Sequence, residues 1–345
     1  MTRQMKIGKR VISDKHPPLI IAEVGINHAG SFKNAIKMVD AVKNAGGECV
    51  KFQYHIPEQE MIYNNTIPGN AKESIWNIIK KNHLTEVEEK KLFKYVKKKK
   101  LIYLATPFSR EAAIKLYALG VDAFKIGSGE CNNYPLVDFI SSFKKPIILS
   151  TGMNNLKMIK KAVKIIIKNN CKVSLLHCIS SYPTEYKNLF LKNITLLKKN
   201  FKNLPIGLSD HSLGIHTSLA SVALGSSIIE KHFTFSDKIK GPDIPISILP
   251  NQLRDLCVQS RDIFFANKEN NISILKEEEK TIKFAYSSVV TIQDIKKNQK
   301  ISLKNTWVKR PGTGDFLAKD LKKLIGKKVK KFIPKNKQIK FSDIL

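Results

Sequence analysis

From residue 18 to about residue 265 the chain alternates short apolar runs with stretches whose apolar residues recur every three to four positions. The runs are PLIIAEVGIN (18–27), CVKFQY (49–54), LIYLATPF (101–108), AFKIGS (123–128), PIILSTG (146–152), VSLLHCIS (173–180), PIGLSDHS (205–212) and SIIEKHFT (227–234). Between them lie amphipathic segments such as SFKNAIKMVDAVKNAG and NLKMIKKAVKIIIKNN, which have the spacing of a helix with one buried face. Strands alternating with helices imply a parallel sheet, because a crossover helix returns the chain to the same end of the sheet. Eight such units in about 250 residues predict an α/β fold of the closed (β/α)8, or TIM, barrel type. An open doubly wound sheet fits less well, since no G-x-G-x-x-G follows the first run. A longer segment, residues 55–84, separates the second and third strands and reads as a substrate lid.

The texture changes after about residue 266, where ANKENNISILKEEEKTIK is polar and charged. We therefore expect a barrel over 1–266, a linker over 267–283 and a small, mostly β module over 284–345. That module is short for a large core of its own and is expected to dock on a partner surface.

Composition narrows the class. The apolar fraction of 42% supports an ordinary core, and no stretch approaches the roughly 18 apolar residues of a membrane helix. The amino terminus has basic residues but no apolar h-region, so no secretory signal is expected. Cys49, Cys131, Cys171, Cys178 and Cys257 are odd in number and form no C-x-x-C pair, which suggests reduced thiols in a cytoplasm. The net charge of +31 raises nucleic acid as a partner, yet only six of the 60 basic residues are arginine. Base and phosphate readers favour arginine forks, and the lysines are spread over helix faces that solvent would cover. The expectation is no nucleic acid and no membrane.

Catalytic groups of such barrels come from the carboxyl ends of the strands. Those ends hold Glu23 and Asn27; Lys51 and Gln53; Thr106; Lys125 and Ser128; Ser150 and Thr151; His177 and Ser180; Ser209, Asp210 and His211; and Glu230, Lys231 and His232. Any one of them could be a helix cap, but eight strands all ending this way point to a site. Lys51 and Gln53 share a strand face, and a buried lysine needs an anion to answer it. Two lysines with Ser and Thr hydroxyls suit a phosphate pocket, while a single depressed lysine would suit a Schiff-base aldolase. His211 and His232 stand on neighbouring strands and can converge on Mn²⁺, Mg²⁺, Co²⁺ or Zn²⁺. His28, His55, His177 and His216 carry no assignment.

The strings IAEVGINHAGS, VKFQ, TPFS, FKIGSGECNNYPL, ILSTGM, GLSDHS, ALGSSIIEKHFT and GPDI, in that order, resemble the N-acetylneuraminate (sialic acid) synthase family. FAYSSVV followed by WVKRPGTGDF resembles that family's antifreeze-like (SAF) domain. The resemblance implies a transferase that condenses phosphoenolpyruvate with an N-acylated hexosamine, N-acetylmannosamine first, or the diacetamido sugar of legionaminate synthesis. It implies a divalent metal, Mn²⁺ or else Mg²⁺ or Co²⁺, held by His211 and His232, and Glu23 as acid/base. Lys51, Thr106, Lys125, Ser128, Ser180 and Ser209 would hold phosphoenolpyruvate, with Ser180 standing where the family usually has asparagine. Gln53, Asn70, Phe108, Glu130, Tyr182 and Asp243 would face the sugar. Arg310 and Phe284 would do so from a second copy in a domain-swapped homodimer. A cytoplasmic enzyme is the corresponding expectation.

Overall fold

The computed structural model describes residues 3–269 and 272–345, which fall into two compact units, Met1–Glu269 and Asn270–Leu345. The first unit opens with an antiparallel hairpin, β1 (Gln4–Ile7) and β2 (Arg10–Ser13), that the apolar pattern did not announce. Eight parallel strands follow: β3 (Leu19–Gly25), β4 (Cys49–Tyr54), β5 (Ile102–Pro107), β6 (Phe124–Ile126), β7 (Ile147–Ser150), β8 (Val173–Cys178), β9 (Ile206–Asp210) and β10 (Ile228–His232). Their order is β5-β4-β3-β10-β9-β8-β7-β6, and β5 packs beside β6 at the seam, giving a nearly closed barrel ringed by helices. Every predicted strand is present. The fold expected from the alternation is the fold observed.

Period-two alternation divides each strand between two cores. Outward residues such as Ile20, Ala22, Val24, Val50 and Phe52 pack against helices including Phe32–Asn44 and Glu86–Lys98. Inward residues Leu19, Ile21, Cys49, Leu104, Ala123, Ile148, Leu176 and Ile228 fill the lower barrel. Met5, Ile7 and Ile12 of the hairpin join that inner cluster and plug its base. Each such side chain contributes about 1.5–3 kcal/mol when fully buried, which holds the hairpin in place. The lower barrel is therefore sealed, and only its carboxyl-terminal mouth is free for polar groups.

The helices start where short polar side chains can cap them. Ser31, Ser109, Asn133 and Asn155 each accept the backbone N–H three residues on, and Thr85 with Glu88 completes a reciprocal capping box. The segment 55–84 is not idle coil: it carries helices Pro57–Glu60 and Ile75–Asn82.

The second unit has its own small core of Val289, Ile295, Ile301, Leu324, Val329, Ile333 and Ile339. It contains one antiparallel pair, β11 (Ser288–Thr291) and β12 (Thr306–Lys309), with isolated bridges in place of further strands. From the end of the stretch read as a linker into the start of the module, residues Glu279–Ala285 form a helix. Its Glu- and Lys-rich sequence is polar because the helix is exposed, and both residue types favour helix.

Candidate active site

The barrel mouth opens into a cavity of about 630 Å³. Glu23, Lys51, Lys125, Ser150 and Glu230 extend inward-facing columns that begin lower down with Ile21, Cys49, Ala123, Ile148 and Ile228. The same alternation resolves why two strands end in histidine flanked by charge. Ser209, His211, Glu230 and His232 line the cavity, whereas Asp210 and Lys231 do not. Asp210 and Lys231 are fully buried and pair with each other at 3.3 Å. Asp210 also accepts the Ser212 N–H at 2.8 Å and the hydroxyls of Ser212, Thr217 and Ser218 at 2.7, 2.8 and 2.6 Å. Lys231 donates to the Ser212 carbonyl. This pair is packing, and the two histidines face the cavity.

Two lysines and two carboxylates form the cavity floor. Strand register sets Glu23 beside both Lys51 and His232. Lys51 Nζ lies 2.8 Å from Glu23 Oε2, 3.5 Å from Glu230 Oε2 and 3.3 Å from Thr106 Oγ1. Lys125 Nζ donates to Ser150 Oγ at 2.7 Å and lies 3.6 Å from Glu230 Oε1, which accepts the Ser209 hydroxyl at 2.9 Å. All four charged groups are buried. Burial raises the Glu23 carboxyl to about 7, against the pull of Lys51 and helped by Glu230. Burial acts in the same direction on Glu230, but Lys125 and Lys51 outweigh it and hold that carboxyl low. Lys51 is raised because Glu23 and Glu230 overcome the effect of burial, while burial leaves Lys125 lowered. The floor thus separates a carboxyl that can exchange a proton near neutrality from one that stays ionised.

The His211 and His232 ring centroids are 5.4 Å apart. His211 Nδ1 donates to the Ile179 carbonyl at 2.8 Å, which leaves Nε2 as the nitrogen that could meet a metal. His232 is buried with no hydrogen-bond partner on Nδ1, and Asp243 Oδ2 lies 3.8 Å from that atom. Burial, then His211 and Lys51, hold the His232 imidazole well below its ordinary value, so it has a lone pair to offer. Burial would lower the His211 imidazole, but Cys178 and the Ile179 carbonyl hold it raised, so a cation there would have to displace an Nε2 proton; two imidazoles this close suit a divalent ion. Among the described residues no group of three or more His, Cys, Asp or Glu side chains gathers around one point, so water and substrate would complete the coordination.

The cavity gathers most of the residues expected on either side of it. Thr106, Ser128, Ser180 and Ser209 line it with the lysines, and Gln53, Asn70, Phe108 and Tyr182 line it elsewhere. Gly152 lets the two serines approach: a Cβ there would lie 2.5 Å from Ser180 Oγ and 2.9 Å from Ser128 Oγ. Asn70, with Pro68 and Gly69, reaches the cavity from the 55–84 segment. Tyr182 stacks near His211 with centroids 4.2 Å apart.

Two expected residues stand elsewhere, and two others, Phe284 and Arg310, are expected at the site of a second copy. Glu130 does not line the cavity and instead accepts the Asn133 amide at 2.6 Å in the turn before helix Tyr134–Ser142. Asp243 does not line the cavity but lies behind it, 3.8 Å from His232 Nδ1. Phe284 and Arg310 belong to the second unit and are exposed in it. Conversely, Glu230, Ser150, Cys178 and Met153 line the cavity without having been assigned a role. Alternation alone could have found Glu230, which sits two residues before His232. His177 faces away and donates to the Leu189 carbonyl at 2.7 Å, a packing role.

A family model described as the NeuB family matches residues 38–271, and one described as the SAF domain matches residues 286–345. An N,N'-diacetyllegionaminic acid synthase of Campylobacter jejuni is 39% identical over 311 residues, covering 86% of this chain and 91% of that protein. The N-acetylneuraminate-9-phosphate synthase of Homo sapiens is 30% identical over 328 residues, 93% of this chain and 90% of that one. The crystal structure of an N-acetylneuraminic acid (sialic acid) synthetase from Leptospira borgpetersenii in complex with citrate superposes with a TM-score of 0.74. That protein is 32% identical, over 82% of this chain and 96% of its own.

Proposed function

The chain belongs to the NeuB family of nonulosonic acid synthases, and on that premise we propose that it joins phosphoenolpyruvate to an open-chain N-acylated hexosamine. C3 of phosphoenolpyruvate forms a bond to the aldehyde carbon, water adds at C2, and phosphate leaves. The observation that carries this reading is the convergence of Lys51 and Lys125 on one floor beside two imidazoles in a single cavity.

Lys51 and Lys125, with Thr106, Ser128, Ser180 and Ser209, bind the phosphate and carboxylate oxygens, which offer the lysines a new anionic partner beside Glu230. The same two ammonium groups, buried and fixed by neighbouring strands, orient the enol carbon toward the sugar side of the cavity. Glu23 takes the proton of the water attacking C2, a task its raised carboxyl suits. His211 and His232 would hold a divalent cation, Mn²⁺, Mg²⁺ or Co²⁺, which when bound supplies Lewis-acid polarisation of the aldehyde oxygen. Gln53, Asn70, Phe108 and Tyr182 bind the sugar.

N-acetylmannosamine, giving N-acetylneuraminate, is one acceptor. The similarity to a legionaminic acid synthase and the serine at position 180 favour the 2,4-diacetamido-2,4,6-trideoxy sugar as a second. The test incubates the protein with phosphoenolpyruvate, Mn²⁺ and each sugar separately, following phosphate release and product mass. The expected mass is that of the sugar plus pyruvate. The reading fails if no sugar supports phosphate release, or if borohydride traps a pyruvate adduct on Lys51 or Lys125. The lowered Lys125 would permit that adduct, and a Schiff-base aldolase would form it.

A further inference from the structure

His55 is buried, does not line the cavity, and touches two side chains that do. Its Nδ1 lies 2.9 and 3.0 Å from the two carboxylate oxygens of Glu60, whose side chain is itself only 3% exposed. Its Nε2 lies 3.0 Å from Gln53 Oε1. Its ring stacks on Phe108 with centroids 4.5 Å apart and planes 9° from parallel. Gln53 and Phe108 both line the cavity. Glu60 closes the short helix Pro57–Glu60 inside the 55–84 segment, so the chain reaches the site twice through this cluster.

The chemistry of these contacts is directional. A carboxylate only accepts, so Glu60 keeps a hydrogen on Nδ1 and fixes the ring's rotation. The ring in turn engages one end of the Gln53 amide, and whichever end meets the ring, the opposite end faces away from it. With Oε1 on the ring, Nε2 must donate as Nδ1 does, and the amide nitrogen lies on the Glu23 side. A Cβ added to Gly25 would sit 3.4 Å from that nitrogen and 3.1 Å from Glu23 Oε1. A ring present only to pack against Phe108 would have no use for a buried carboxylate, which costs stability unless its position is needed.

We propose that His55, clamped by Glu60, is a positioning residue that sets the orientation of the Gln53 amide and the plane of Phe108. It thereby selects which end of that amide, donor or acceptor, the cavity presents to the N-acyl sugar. The inference rests on the reading of this cavity as a sugar and phosphoenolpyruvate site.

The test uses the full chain and initial rates with phosphoenolpyruvate and the N-acyl sugar that the wild type turns over best. His55→Phe keeps the stacked ring and removes both nitrogens. Its sugar KM rises about tenfold while its phosphoenolpyruvate KM stays within about twofold, the loss of one oriented hydrogen bond in binding. Because His55 acts through Gln53, the double variant His55→Phe/Gln53→Leu is worse than Gln53→Leu alone by no more than about twofold. Glu60→Gln shifts sugar KM in the same direction by about threefold, and it decides the question if His55→Phe does not fold. The proposal is overturned if sugar KM is unchanged, if both KM values rise together, or if the double variant multiplies the two single losses. A wild type that releases phosphate with no sugar overturns the functional reading instead.

Discussion

Replacing Lys231 by methionine removes one charge from the barrel wall and leaves every cavity-lining group in place. Methionine has nearly the length and volume of the lysine stem, so packing changes little. The loss falls on Asp210, which is fully buried and would lose the ammonium group that answers it among the described residues, 3.3 Å away. Breaking a buried ion pair on one side typically costs about 3–5 kcal/mol. Asp210 retains donors from the Ser212 N–H and from the hydroxyls of Ser212, Thr217 and Ser218, which places the loss at the lower end, about 3 kcal/mol. For a unit of this size, about 2–4 °C per kcal/mol gives a fall of roughly 6–12 °C in the melting midpoint of the barrel. Calorimetry of the full chain would read it. Adding Asp210→Asn to Lys231→Met removes the orphaned charge while keeping the hydroxyl contacts, so the double variant should recover more than half of the loss. Turnover at 25 °C should stay within about threefold for both, since neither residue faces substrate. A single variant melting within about 2 °C of the wild type would refute the assignment of this pair to the fold. So would a double variant whose losses simply add.

Glu89 supplies a prediction in pH. Burial raises its carboxyl to about 8 despite the Tyr103 hydroxyl that donates to it at 3.2 Å. The folded protein therefore holds this proton more tightly than the unfolded chain, and stability is lost as pH rises from about 4.5 to about 8. Glu89→Gln has no such loss, so its melting midpoint should gain on the wild type between pH 5 and pH 8; a gap constant with pH would contradict the shift. Treatment with EDTA should abolish turnover and Mn²⁺ or Mg²⁺ should restore it, and full turnover in chelator would reject a metal at His211 and His232. Lys125→Met should raise the phosphoenolpyruvate KM at least about tenfold and leave the sugar KM within about twofold, and equal rises would show that Lys125 does not belong to the phosphate side.

The strand ends held much of the site in plain view. Glu23, Lys51, Lys125, Ser209, His211 and His232 were legible because strand periodicity and barrel geometry together fix which end and which face carries function. Glu230 shared that signal at its strand end but had no role legible there, since its partners Lys51 and Lys125 stand on other strands. His55 and Glu60 carried no signal. They lie beyond the strand, in a segment whose helices follow no barrel rule, and their contact needs the turn at Pro57–Glu60 to exist first. The β1–β2 hairpin escaped for a related reason: four-residue strands are too short for periodicity to mark, and their burial depends on an open barrel base waiting for them.

The sequence by itself determined the repeat of strand and helix, the two units and the residues that end each strand, because those follow from spacing along one chain. Pairing across the chain was decided only in three dimensions. That Lys231 answers Asp210 while Lys51 answers Glu23 depends on which side of a strand each ammonium leaves. In a barrel those two sides are different solvents: a dry helix-packed layer outside and a polar cavity within. Burial then separated the two floor carboxyls, raising Glu23 and letting the lysines hold Glu230 ionised, and no linear pattern encodes that difference.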